Sequence, residues 1–141
     1  MAIQVGDSIP EATINIVQDG VRSINTVEFF QNRKVVLFAL PGAFTPTCSA
    51  KHLPSYIALI DAFTEKGYAV ACLSVNDAFV MSAWAKSQAT PQAINMLADG
   101  NAEFTKALGL ELDARAFGMG IRAKRFALIA DNGLVTHLFL E

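Results

Sequence analysis

Residues 34–48 read KVVLFALPGAFTPTC, and the two halves of this stretch demand different structures. Lys34 to Leu40 is a continuous apolar, β-rich run with no polar alternation, the pattern of a strand covered on both faces in an α/β sheet. Pro41-Gly42 ends it. From Thr47 to Lys66 the apolar positions Leu53, Tyr56, Ile57, Leu59, Ile60 and Phe63 fall on one helical stripe, and Gly67 follows as a C-terminal stop. Pro54, inside this stretch, removes one backbone donor and predicts a kinked helix, since the periodicity resumes at once.

Working outward, Ala69 to Val75 (AVACLSV) is a second buried strand, which completes a βαβ unit with parallel strands and a right-handed crossover. Upstream, Ala12 to Val17 alternates as a strand. Asp19-Gly20 turns it into a partner over Val21 to Asn25, and Thr26 is placed to cap a short helix over Val27 to Gln31, with Glu28 early in it. Downstream, Asn76-Asp77 leads into a helix over Ala78 to Ser87, and Asp99-Gly100-Asn101 opens another over Ala102 to Leu108. Arg125 to Ala130 and Leu134 to Leu140 are strands joined by the hairpin signal Asp131-Asn132-Gly133. The pattern predicts an α/β fold: a central mixed β-sheet flanked by helices, with an N-terminal β-hairpin. The last strand runs to Glu141 with no closing helix, which predicts an under-covered face on the final hairpin.

Composition bounds the function. A chain of 141 residues, 52% hydrophobic and 17% charged, builds one compact domain over residues 1–141 with apolar side chains to spare for a core. Its net charge of −2 argues against nucleic acid or an anionic membrane as partner. Arg122-Ala123-Lys124-Arg125 is the only basic cluster, and by itself it reads as solvated surface. The opening MAIQVGDSIP lacks the basic and apolar regions of a signal peptide, and no apolar run approaches the roughly 20 residues that span a bilayer. The two cysteines, Cys48 and Cys72, make neither a disulfide scaffold nor a CxxC pair, and no His/Cys cluster has metal-ligand spacing. The expectation is a cytoplasmic protein with reduced thiols, no metal and no organic cofactor.

Cys48 is where chemistry concentrates. With Thr45 as N-cap, Pro46 takes the first helical position, where its missing N–H is not needed, and Cys48 takes the third. Unpaired N–H groups and the positive end of the helix dipole there favour a thiolate over a thiol. The thiolate is the nucleophilic form. Position alone leaves two readings open: an activated nucleophile, or an ordinary small residue beside a capping threonine. A dithiol exchange motif is excluded, because Thr45 stands where its second cysteine would be.

PGAFTPTC followed by SAKHLP resembles the active-site loop of the peroxiredoxins, with its pattern Pro-x-x-x-Thr-x-x-Cys. FALPGAFTPTCSAKHLP, CLSVNDAFVMSAW, LADGNAEFTKALG and KRFALIADNG resemble, in order, blocks of the type-five (type II) peroxiredoxins. The resemblance implies a thioredoxin-like fold and a thiol-dependent peroxidase acting on hydrogen peroxide and organic hydroperoxides. It implies Cys48 as the peroxidatic cysteine and Thr45 as the hydroxyl contacting thiolate and peroxide. Pro41 becomes the shield of the pocket, and Arg125 the guanidinium that binds peroxide and favours the thiolate. The chemistry agrees with these roles, since attack spreads negative charge from sulfur through both peroxide oxygens. Fixed donors stabilise that charge, and a hydroxyl can donate and accept at once.

Arg122 is the competing arginine and reads as surface or loop-supporting. His52 reads as a structural neighbour of the site, because a preformed thiolate needs no base. Phe79, Trp84 and Phe117 read as packing or interface residues, and the resemblance implies a homodimer formed through the active-site side. Cys72, in a buried strand, is the candidate resolving thiol. The alternative, held slightly ahead, is a one-cysteine cycle in which an external thiol reduces oxidised Cys48. The partners implied are glutathione with glutaredoxin, or thioredoxin. A reading of a different class makes Cys48 a peroxide-sensing switch or interaction module that does not turn over.

Overall fold

The computed structural model describes residues 2–18, 20–46 and 51–141. Seven strands form one sheet in the order β2-β1-β5-β4-β3-β8-β9. They are β1 (Thr13–Val17), β2 (Val21–Asn25), β3 (Lys34–Ala39), β4 (Tyr68–Ser74), β5 (Ile94–Ala98), β8 (Phe126–Asp131) and β9 (Leu134–Leu140). Two short strands, β6 (Glu111–Asp113) and β7 (Ile121–Ala123), pair as a separate ladder. Strands β3, β4 and β5 run parallel, while β8 and β1 flank them antiparallel, so the sheet is mixed.

The run KVVLFA becomes β3 because both of its faces are needed. Val35, Leu37 and Ala39 enter one apolar cluster with Phe30, Phe104 and Leu108, the last two from helix α4 (Glu103–Leu108). Val36 and Phe38 enter the other with Leu53 and Ile60 of α2 (Leu53–Glu65) and with Met81 and Trp84 of α3 (Ala78–Ser87). A strand that alternates between two cores cannot alternate in polarity, hence its sequence. Among the described helices none is long and apolar enough to cross a membrane.

Several sequence expectations shift. Thr26 does not cap α1 (Thr26–Phe30): Asn25 does, accepting from the Glu28 N–H. Thr26 is fully buried, donating to the Pro10 carbonyl at 2.7 Å and accepting from the Ala12 N–H, so its hydroxyl closes the N-terminal segment onto the sheet. Within the helix read over Thr47 to Lys66, the described residues form regular α-helix from Leu53 to Glu65. Lys51 and His52 are π-helical, and Pro54 falls in the first turn of α2. Residues 47–50, and with them the placement of Cys48 at a third helical position, lie outside the described residues.

Strand β5 was not anticipated. It is buried along its whole length, but Asn95 interrupts its apolar sequence, using Nδ2 to reach the Val70 carbonyl at 3.0 Å. The last hairpin turns at Asn132-Gly133, both at positive φ, as its Asp-Asn-Gly signal requires. Strand β9 leaves Phe139 and Leu140 more than half exposed.

Candidate active site

The chain leaves β3 through Leu40, whose N–H still bonds the Leu73 carbonyl, and enters the loop Pro41–Pro46. Three side chains hold this loop. Asn76, just beyond β4, accepts from the Ala43 N–H at 2.9 Å and from the fully buried Ser74 hydroxyl at 2.6 Å. One amide oxygen thus ties the loop to the end of the neighbouring strand. Thr45 donates its hydroxyl to the Gly42 carbonyl at 2.7 Å. That bond fixes the hydroxyl rotor and leaves the oxygen lone pairs as acceptors. Arg122, at the centre of β7, donates Nε to the Met119 carbonyl at 2.8 Å and Nη1 to the Pro41 carbonyl at 3.3 Å. Phe44, at the loop tip, takes a left-handed backbone (φ 62°) and points more than half its surface to solvent. For an aromatic residue that conformation costs on the order of 1–3 kcal/mol, which the surrounding bonds must offset.

A second group forms where α2 begins. Phe38, fully buried in β3, stacks flat on Tyr56 at a ring separation of 3.8 Å and meets His52 edge-on at 5.8 Å. This aromatic packing fixes the start of α2 against the sheet. His52 lies beside Arg125 and Glu141 in a cavity of about 230 Å3, completed by Phe126, Phe139 and Leu140. The Arg125 side chain is 17% exposed; its Nε stands 3.5 Å from the Glu141 carboxylate, and its carbonyl accepts from the Glu141 N–H. Burial holds the His52 imidazole below its ordinary pKa, the Arg125 charge pushes in the same direction, and Glu141 partly opposes both. Burial and the Arg125 charge thus both disfavour a second cation in this cavity.

The sequence-predicted residues fall into these two groups. Pro41 and Thr45 share the loop, and Arg125 and His52 share the cavity. Residues 47–50, including Cys48, join the groups along the chain but lie outside the described residues. Cys72 sits in β4, fully buried, next to Phe38 in the register and on the face covered by α2. It raises the Tyr56 pKa, second to burial, which places the two side chains near one another. Trp84 belongs to the core, whereas Phe79 and Phe117 are 78% and 80% exposed. Among the described residues there is no group of three or more His, Cys, Asp or Glu side chains arranged to hold a metal ion.

Two residues of the site were not singled out as such from sequence. Asn76 read as part of a turn, although only Asp77 makes the helix cap, accepting from the Val80 N–H at 2.8 Å. Arg122 reads from sequence as surface or loop-supporting, and the loop it supports is Pro41–Gly42. An amide following a buried strand at the end where the loop emerges was the available signal for Asn76. No local signal pointed to Arg122.

A mixed sheet with helices on both faces, with the loop Pro41–Pro46 leaving the carboxyl end of a central strand, defines the thioredoxin-like class. The family model described as Redoxin matches residues 4–141, and the chain belongs to that family, in its type II, type-five-like peroxiredoxin branch. It is 49% identical over 146 residues to "Peroxiredoxin-2E-2, chloroplastic" of Oryza sativa subsp. japonica, covering 99% of this chain and 65% of that protein. With "Peroxiredoxin-2D" of Arabidopsis thaliana the identity is 44% over 137 residues, covering 95% of this chain and 85% of that one. Reduced Prx3 from Vibrio vulnificus, in a crystal structure in complex with H2O2, is 51% identical and superposes with a TM-score of 0.93, covering 99% of this chain and 88% of that one. The chain thus spans a little under two thirds of the length of the rice relative.

Proposed function

We propose that this chain is a thiol-dependent peroxidase with Cys48 as its peroxide-attacking residue. The observation that carries the proposal is the sequence Pro41–Cys48: it has the peroxiredoxin pattern in a chain of that family, and its described part is tied down at Ala43, Gly42 and Pro41.

In the proposed reaction the Cys48 thiolate attacks one oxygen of a hydroperoxide. A sulfur–oxygen bond forms and the oxygen–oxygen bond breaks. The departing alkoxide or hydroxide takes a proton and leaves as alcohol or water, and Cys48 becomes a sulfenic acid. Two thiol equivalents then return it to the thiol, releasing water and a disulfide. Negative charge moves from sulfur across both oxygens during attack, so preorganised donors act where the charge develops. Arg125 supplies a permanent cation, and with burial it disfavours a second positive charge on the neighbouring His52. Thr45, with its proton committed to Gly42, offers lone pairs to a peroxide O–H. Pro41 contributes an apolar wall that presents no donor N–H.

For the reductant we propose an external thiol, glutathione with glutaredoxin, ahead of thioredoxin acting on a Cys48–Cys72 disulfide. The complete burial of Cys72 beneath α2 supports this order, since pairing requires Cα atoms within about 7 Å and open sulfur-to-sulfur access. A homodimer is supported by Phe44, Phe79 and Phe117, large aromatic side chains left mostly in solvent. Sedimentation as a monomer at assay concentrations would remove that part.

Steady-state peroxide consumption, run in parallel with the glutaredoxin and thioredoxin systems, tests the function. Turnover of many equivalents is expected with the first system and none in Cys48→Ser. A single stoichiometric oxidation with every reductant would make the chain a sensor instead.

A further inference from the structure

The ladder β6–β7 is separate from the main sheet, yet at its centre, opposite Leu112, it carries Arg122. This side chain joins two segments far apart in sequence. Its Nε bonds the Met119 carbonyl in the turn before β7, and its Nη1 reaches the Pro41 carbonyl, 81 residues earlier. The turn is itself held by the ladder, through the Ala114 N–H to the Gly120 carbonyl and the Met119 N–H to the Ala114 carbonyl.

Gly42 fits this arrangement for a steric reason rather than a conformational one, since its φ is not positive. A Cβ there would stand 2.9 Å from Arg122 Nη1 and 3.1 Å from Thr45 Cγ2. The guanidinium therefore occupies the space that any side chain at position 42 would need. Thr45 depends on the next peptide along, because its hydroxyl donates to the Gly42 carbonyl. Arg122, Pro41, Gly42 and the Thr45 hydroxyl thus form one connected series of contacts.

We propose that Arg122 is a positioning residue for peroxide attack: it clamps the Pro41–Gly42 peptide to the Met119 turn and so sets where Pro41 and Thr45 stand relative to Cys48. This rests on Cys48 being the peroxide-attacking thiol. The clamp needs the forked geometry of a guanidinium spanning two carbonyls; an ammonium supplies the charge without the fork. It acts on the orientation of reacting groups, where displacements of about 1 Å are worth up to roughly a hundredfold in rate.

The test is stopped-flow oxidation of the reduced full chain by hydrogen peroxide across pH, for parent, Arg122→Gln, Arg122→Lys, Gly42→Ala and Gly42→Ala/Arg122→Gln, with Cys48→Ser as control. Arg122→Gln should lower the second-order rate constant at least about tenfold, with the pH midpoint of the rate unmoved and with Arg122→Lys failing to restore it. Gly42→Ala, which displaces the guanidinium from the other side, should give a similar loss. The double variant should be little slower than either single one, because both remove the same contact. Rates within twofold of parent in both single variants overturn the clamp. So does full rescue by lysine with a shifted pH midpoint, which would assign Arg122 an electrostatic role, or full additivity in the double variant. Should Arg122→Gln fail to fold, Gly42→Ala and Arg122→Lys decide the matter. If the parent is not oxidised at Cys48 at all, it is the proposed function that fails, a result distinct from an oxidised parent with unaffected variants.

Discussion

Replacing Asn76 by alanine removes the acceptor that serves two buried donors at once, and the cost can be worked from the geometry. The Ala43 N–H loses its 2.9 Å partner in a residue that is 8% exposed. The Ser74 hydroxyl, fully buried, loses a 2.6 Å bond and keeps only the Leu40 carbonyl at 3.5 Å, the edge of useful geometry. A buried donor left without a partner costs about 1–3 kcal/mol, and the hydroxyl retains part of its bonding, so the total is about 2–4 kcal/mol. At about 3 °C per kcal/mol for a chain of this length, the melting temperature should fall by about 6–12 °C. The control is Asn76→Asp, which keeps an oxygen for both donors. Its melting temperature should stay near that of the parent, while its added negative charge beside the loop should disfavour a thiolate and move the pH midpoint of Cys48 oxidation upward. Thermal unfolding followed by circular dichroism gives the first quantity, and peroxide oxidation across pH gives the second. A melting temperature for Asn76→Ala within about 2 °C of the parent would refute the reasoning, as would Asn76→Asp proving equally destabilised.

Two further outcomes are expected around the second half of the site. His52 has its folded-state pKa lowered by burial and by Arg125, so the unfolded chain binds more protons there. The stability this contributes is complete above about pH 6.5 and is lost as pH falls through the folded value; an NMR titration of His52 with a midpoint at or above 6.5 would contradict it. Arg125→Ala should slow Cys48 oxidation by about a hundredfold and raise the His52 midpoint, since one cation acts on both; an unchanged rate in stopped flow would remove Arg125 from the reaction.

Much of the fold is legible in the sequence because the strongest signals are local. KVVLFAL reads as a central strand since both of its faces are apolar, and Asp131-Asn132-Gly133 reads as a hairpin since its backbone demands positive φ. Strand β5 is less visible because Asn95 is buried by a long-range bond to Val70, which no local pattern announces. Strands β6 and β7, three residues each, are too short for a period to develop. Thr26 illustrates the same limit at one residue. Its neighbours suggest a cap, but its hydroxyl is taken by Pro10, sixteen positions earlier. The site divides likewise. Cys48, Thr45 and Pro41 share one contiguous motif, from which the sequence alone can propose them. Arg122 and Asn76 act on backbone atoms of a distant segment, and a backbone carbonyl or N–H leaves no trace in the identity of the residue that carries it.

The most direct test is the mass of the reduced full chain after one equivalent of hydrogen peroxide, with no reductant present, mapped to peptides. The proposed one-cysteine cycle predicts one oxygen added at Cys48, trapped as the sulfenic acid, and Cys72 unmodified; the peroxide should survive intact in Cys48→Ser. A Cys48–Cys72 disulfide would keep the peroxidase but replace the proposed one-cysteine cycle. Consumption of peroxide by Cys48→Ser, or a parent chain whose Cys48 stays a thiol, would contradict the central claim.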